Sequence, residues 1–119
     1  MVLVDTSVWV DHLRQGNPAL AELLSDAKVA CHPLVIGELA CGNLRNRSEV
    51  LSLLQALPST PEVDHEDLLR FIERHLFMGQ GLGLIDVHLL ASARLAAIPL
   101  WTLDRRLRRA ATTLGAAYR

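Results

Sequence analysis

"MVLVDTSVWVDHLR", residues 1–14, packs a short apolar run, an acid and a second, differently spaced apolar pattern into one stretch. "MVLV" is continuous and ends abruptly at Asp5, as a buried strand does. "TSVWVDHLR" then predicts a short helix with Thr6 or Ser7 as its cap. The same order recurs near the other end of the chain. "IPLWTL" (98–103) predicts a strand, and "DRRLRRAATTLG" (104–115) predicts a helix that opens on Asp104. Two strands that each run straight into a helix through an acid point to an α/β fold, in which parallel strands need helical crossovers.

The intervening sequence supplies those crossovers. "PALAELLSD" (18–26) predicts a helix with Pro18 near its start, and "KVACH" (28–32) a strand. "PLVIGELACG" (33–42) predicts a helix stopped by Gly42 and Asn43. "RSEVLSLLQAL" (47–57) is an amphipathic helix ended by Pro58, "STPEV" (59–63) a loop or short strand, and "HEDLLRFIERHLFM" (65–78) another helix. "AAYR" (116–119) reads as a last short strand. The expectation is one domain over residues 1–119, with a central, mostly parallel sheet and helices on both faces.

Composition narrows the class. Half the residues are apolar, yet no stretch approaches the roughly 20 apolar residues of a membrane span. The first residues carry no basic leader ahead of an apolar run, so a soluble, cytoplasmic protein is expected. Cys31 and Cys41 form no CxxC pair and read as small buried hydrophobes. His12, His32, His65, His75 and His88 are scattered without zinc-site spacing. Net charge is −1, but eleven of the twelve basic residues are arginines, and six of these lie between Arg94 and Arg119 against a single acid. "DRRLRRAA" reads either as a solvated helix face or as a set of phosphate-gripping forks.

Two further acids are out of place. In "GLGLIDVHLLASARLAA" (81–97), Leu89, Leu90, Ala93 and Ala97 form an apolar stripe, and Asp86 lies on the same face. A place in the first turn of a helix gains an acid about 0.3–1 kcal/mol from the helix dipole, which explains its position but not its face. Glu38 sits among Leu34, Val35, Cys41 and Gly42 in the same way. Asp5 and Asp104 stand at the C-terminal ends of strands, where parallel sheets place ligand sites, although as single residues they read equally well as helix caps. Several carboxylates converging on one place are tolerated when a divalent cation lies among them, and an oxygen-only set favours Mg²⁺ or Mn²⁺. The chemistry to expect is metal-assisted hydrolysis of a phosphate ester.

"VDTS" at 4–7, the inward Glu38, "GLID" at 83–86 and "TLD" at 102–104 together resemble the PIN-domain family, and most of all its VapC-type toxin branch. The resemblance runs over essentially the whole chain. It implies that Asp5, Glu38, Asp86 and Asp104 form an acidic pocket for Mg²⁺ or Mn²⁺, with Asp5, Asp86 and Asp104 holding the metal and Glu38 acting as ligand or base. Thr6, Ser7 and Thr102 would support the pocket through their hydroxyls. It further implies endonucleolytic cleavage of RNA, a homodimer, and silencing by a cognate VapB-type antitoxin. Many relatives carry another acid two residues after the fourth. Here that position is Arg106, so one well-formed metal site is expected. Arg45 and Arg47, with Arg105, Arg106, Arg108 and Arg109, would hold the RNA backbone.

Two other readings compete. A phosphatase with an aspartyl nucleophile at Asp5 often needs an acid two residues on, where this chain has Ser7. A non-catalytic module would use the same pocket only to bind RNA or protein. Trp9 and Trp101, each near an acid in sequence, read as core or subunit-interface residues rather than base-stacking platforms.

Overall fold

The computed structural model describes all 119 residues. The elements run β1 (Val2–Val4), α1 (Thr6–Gln15), α2 (Pro18–Ser25), β2 (Val29–Ala30), α3 (Pro33–Ala40), α4 (Arg47–Ala56), α5 (His65–His75), α6 (Leu84–Ala96), β3 (Leu100–Trp101) and α7 (Arg105–Thr113). The three strands form a parallel sheet in the order β2-β1-β3. Neighbouring side chains on a strand point to opposite faces, yet Val2, Leu3 and Val4 are all buried, so both faces are covered. The covering helices fall into two packed groups, α1 with α3 and α4, and α5 and α7 with α6.

The strands are shorter than the apolar runs that encode them. "IPLWTL" yields only Leu100–Trp101, because Pro99 has no N–H to donate and Thr102 onward turns into the cap of α7. "AAYR" contributes a single bridge, Leu100 to Ala117, and the "STPEV" segment a single bridge, Cys31 to Ser59. Helix α1 is capped by Asp5, not by Thr6 or Ser7. Asp5 keeps extended backbone angles at the strand end, and its side chain accepts from the Ser7 N–H.

Helix α6 is the central helix. Val87 and Leu89 through Ala93 are all buried, leaving His88 as the break in that run. Its apolar stripe stops earlier than the periodicity predicts, since Ala97 is exposed and lies in the left-handed region (φ 56°) as the C-cap. There the Ile98 N–H reaches the Ala93 carbonyl at 3.0 Å, closing the helix in a Schellman-type turn. Ala27 and Leu76 close α2 and α5 the same way, while Gly115 closes α7 with the residue that tolerates that conformation. Ala97→Gly is therefore expected to raise stability by about 0.5–1 kcal/mol, since relief of the left-handed strain outweighs the added freedom of the unfolded chain. A urea denaturation midpoint shifted upward with an unchanged slope would show it.

The cysteines divide. Cys31 is buried, and burial raises its thiol pKa to about 11, whereas Cys41 is exposed at the end of α3. Trp9 is buried in the core, and Trp101 packs against Tyr118 with ring centroids 5.4 Å apart. No helix is long and apolar enough to cross a membrane.

Candidate active site

The acids that follow β1 and β3 come side by side because the two strands are neighbours in the sheet. Asp5 is almost wholly buried, at 6% exposure. Its Oδ2 accepts from the Ser7 hydroxyl at 2.7 Å and from the Thr102 hydroxyl at 2.7 Å. Each hydroxyl has one proton to give, so both are committed to Asp5, and the 3.3 Å contact between Ser7 and Thr102 is packing only. The same two oxygens accept the Leu103 and Asp104 N–H groups, each at 3.0 Å. Ser7 and Thr102 thus tie the end of β1 to the start of α7.

All four acids share one pattern. Asp5 is held through Oδ2, leaving Oδ1 with no partner in the protein. Asp104 caps α7 through Oδ1, accepting from the Arg106 and Leu107 N–H groups at 2.9 and 3.1 Å, and leaves Oδ2 free. Asp86 accepts the Gly83 N–H through Oδ2 at 2.9 Å and leaves Oδ1 free. Glu38 accepts the Thr6 hydroxyl through Oε1 at 2.6 Å and leaves Oε2 free. Each carboxylate is oriented by one oxygen and offers the other. Three of them sit in the first turn or at the cap of a helix (α1, α6 and α7), whose positive ends ease the gathering of negative charge.

Asp86 registers the other three. Its pKa is raised above the ordinary carboxylate value, first by burial; the Gly83 N–H opposes this, while Asp5, Asp104 and Glu38 add repulsion. The capping reading of Asp86 is correct as far as Oδ2 goes. The expectation that Glu38 is turned toward the core is not met. Helix α3 buries Val35 and Leu39, and Glu38 is exposed to the cleft. Asp104 is exposed as well. As they stand, no three acidic, histidine or cysteine side chains are drawn close enough to chelate one ion. The site is an open set of like charges whose unpartnered oxygens a cation would gather. That donor set, all oxygen and pre-oriented from behind, fits Mg²⁺ or Mn²⁺ better than zinc.

The arginines sort into different roles. Arg45 lines a cleft of about 630 Å³ together with Thr6 and Glu38. Arg14, not among the arginines expected to hold RNA, lines it too; the signal in the sequence is its place on the same face of α1 as Thr6, Val10 and Leu13. Arg47 does not extend toward the acids. Its guanidinium donates to the carbonyls of Ala40 (2.5 Å) and Gly42 (3.2 Å), closing the end of α3. Arg106 and Arg109 line a polar hollow with Gly79, Gln80 and Gly81, next to the Gly83 that holds Asp86. Gly81 has φ 74°, a left-handed conformation that favours glycine, and it lies against the flexible end of Arg106. Arg105 and Arg108 are exposed on α7.

Histidines stand apart from this site. His32 is fully buried as the cap of α3, and its Nε2 lies 3.1 Å from the Ser92 hydroxyl of α6. Burial lowers its pKa, with Glu62 opposing and His88 adding to the shift.

Fold and site define a class: an α/β domain with a cluster of acids at the C-terminal edge of its parallel strands. The chain belongs to the PIN domain family, whose model matches residues 2–112. It is 48% identical over 118 residues to Ribonuclease VapC32 of Mycobacterium tuberculosis strains CDC 1551 and H37Rv, an alignment covering 98% of this chain and 95% of the relative. It is also similar to the crystal structure of PAE2754 from Pyrobaculum aerophilum (TM-score 0.68, 18% identity, 98% of this chain and 87% of that one), a likeness of fold.

Proposed function

We propose that this PIN-domain protein is a Mg²⁺- or Mn²⁺-dependent endoribonuclease, the toxin of a type II toxin–antitoxin pair. The observation that carries the reading is the set of four acids, each held by one oxygen with the other unpartnered, and near enough that Asp5, Asp104 and Glu38 all repel the charge of Asp86. The 48% identity to a protein named as a VapC ribonuclease supports the choice of RNA over other phosphate esters. In this reading Asp5, Asp86 and Asp104 would hold the ion. When bound, the ion would supply charge neutralisation at a phosphoryl oxygen and would make a nearby water more acidic, so that a carboxylate can take its proton.

The chain's own groups do the rest. Ser7 and Thr102 fix Asp5, Thr6 fixes Glu38, and the Gly83 N–H fixes Asp86. Glu38, exposed with Oε2 free, takes the proton of the attacking water or completes the ligand set. The water oxygen bonds to phosphorus as the bond to the leaving ribose oxygen breaks. Arg45, Arg105, Arg106, Arg108 and Arg109 hold the strand, and Arg47 is left out because it closes α3. A homodimer in the cytoplasm, silenced by a VapB-type antitoxin that covers the cleft, completes the proposal.

The test is cleavage of total cellular RNA by antitoxin-free protein with Mg²⁺ or Mn²⁺ and with EDTA. Discrete fragments that require the ion are expected, and raising salt from about 50 to 200 mM should suppress binding by an order of magnitude or more. A real metal site also predicts an increase in melting temperature of roughly 10 °C at about a hundred times the ion's Kd. A folded protein that neither cleaves nor shifts with any divalent ion is a binding module instead.

A further inference from the structure

The acid cleft repels the polyanion it is proposed to cut, in a chain whose net charge is only −1, so the positive charge that offsets this must be concentrated somewhere. One concentration lies outside the cleft. Between α5 and α6 is a groove of about 660 Å³ lined by Arg70, Arg74, His75 and Arg94, with Phe71 and Leu95 among its apolar residues. Asp67, the acid in its lining, is paired with Arg70. Arg74 has no carboxylate partner, and Arg94 gives one N–H to the Leu114 carbonyl at 3.3 Å. Burial lowers the His75 pKa, and Arg94 and Arg74 lie near enough to lower it further. Arg70 and Arg74 stand one turn apart on α5, with Cβ atoms about 5–6 Å from each other. A row of forks suits a linear chain of phosphates better than one compact anion. The groove shares α6 with Asp86: Arg94 lies eight residues on, about 12 Å along the axis.

We infer that the α5–α6 groove is a second RNA-binding site, in which Arg70, Arg74 and Arg94 grip phosphates of the substrate strand and a base packs against Phe71 and Leu95. The inference rests on the ribonuclease reading and deepens it. At ~3.4 Å of rise per stacked nucleotide, the groove lies about four nucleotides from the acids. It therefore sets the length of RNA that is bound well, without taking part in the cleavage step.

The experiment uses Asp86→Asn protein and end-labelled single-stranded RNAs, about 20 and about 2 nucleotides long, the second too short to span from the acids to the groove, with binding read by fluorescence anisotropy across a salt series. Arg74→Ala, which breaks no bond within the fold, and Arg74→Ala/Arg94→Ala are compared with the parent by melting and circular dichroism. For the long RNA the double variant is expected to raise Kd at least tenfold and to flatten the dependence of log Kd on log salt by about one to one and a half units. The short RNA should bind as before. In the otherwise wild-type enzyme, KM for long RNA rises while kcat holds. An unchanged Kd and salt slope for long RNA, or an equal loss on both lengths, overturns the groove. If the wild type cleaves no RNA yet the groove-dependent binding is present, the ribonuclease reading fails and the groove stands.

Discussion

Asp86→Asn is expected to lower RNA cleavage about a thousandfold while leaving the metal-free fold at least as stable as the wild type. The two effects have one cause. Asp86 is half-buried, and its charge is opposed by burial and by Asp5, Asp104 and Glu38. Removing the charge removes those penalties, and the amide oxygen of asparagine can still accept the Gly83 N–H that the carboxylate holds at 2.9 Å. The same removal takes a charged ligand from the proposed ion. Electrostatic stabilisation of a phosphoryl transition state amounts to several kcal/mol, and each ~1.4 kcal/mol is tenfold in rate. Melting curves give the discriminating pattern. Without divalent ions the variant melts at or above the wild-type temperature at pH 7. With Mn²⁺ the wild type gains and the variant does not. A variant that melts well below wild type in EDTA would show that Asp86 serves the fold, not the cleft.

His32→Ala is expected to lower stability by about 3–4 kcal/mol and the melting temperature by roughly 12–20 °C. His32 is fully buried and joins two of the helices that carry the site, α3 with Glu38 and α6 with Asp86. Its Nδ1 accepts the Leu34 N–H at 3.0 Å, which leaves the proton on Nε2 to be donated to Ser92 at 3.1 Å. Alanine loses the cap, leaves a buried hydroxyl unpaired and opens a cavity. His32→Asn is expected to recover about 1 kcal/mol of this, because asparagine caps well but is too short to reach Ser92.

The pH dependence follows from the tautomer. The folded pKa is lowered below 6.5, so between that lower value and 6.5 the unfolded chain binds more protons than the folded one. The stability His32 contributes is therefore fully present above pH 6.5 and is lost as pH falls from there through the folded value. Urea midpoints from pH 7.5 down to pH 5 should decline in the wild type and decline less in His32→Asn.

Much of the candidate site is legible in the chain itself. Asp5 and Asp104 could be placed because each directly follows an apolar run, and strand ends are local features. Asp86 could be placed because helical periodicity puts it on the face of Leu89, Leu90 and Ala93. Glu38 was found for a reason that proved false: its neighbours in sequence are apolar, but α3 is only eight residues long and turns Glu38 toward the cleft, while Val35 and Leu39 go inward. Arg47 and Arg45 are two residues apart and chemically alike, yet one closes the end of α3 and the other lines the cleft. Nothing in the spacing of single residues distinguishes them, because the difference lies in which backbone carbonyls are within reach.

The sequence by itself determined the order of strands and helices, the acids that end β1 and β3, and the helices on which Asp86 and Glu38 ride. Those features are set by periodicity, capping and chain direction, all of which act within a few residues. The tertiary structure alone decided that β1 and β3 are neighbours, and that Ser7 and Thr102 share one oxygen of Asp5 across 95 positions of sequence. It also decided that each acid keeps one oxygen free, and that arginines from α5 and α6 face a common groove. Those outcomes depend on which surfaces pack against one another. A side chain's neighbours along its own helix or strand carry no record of what lies across the interface.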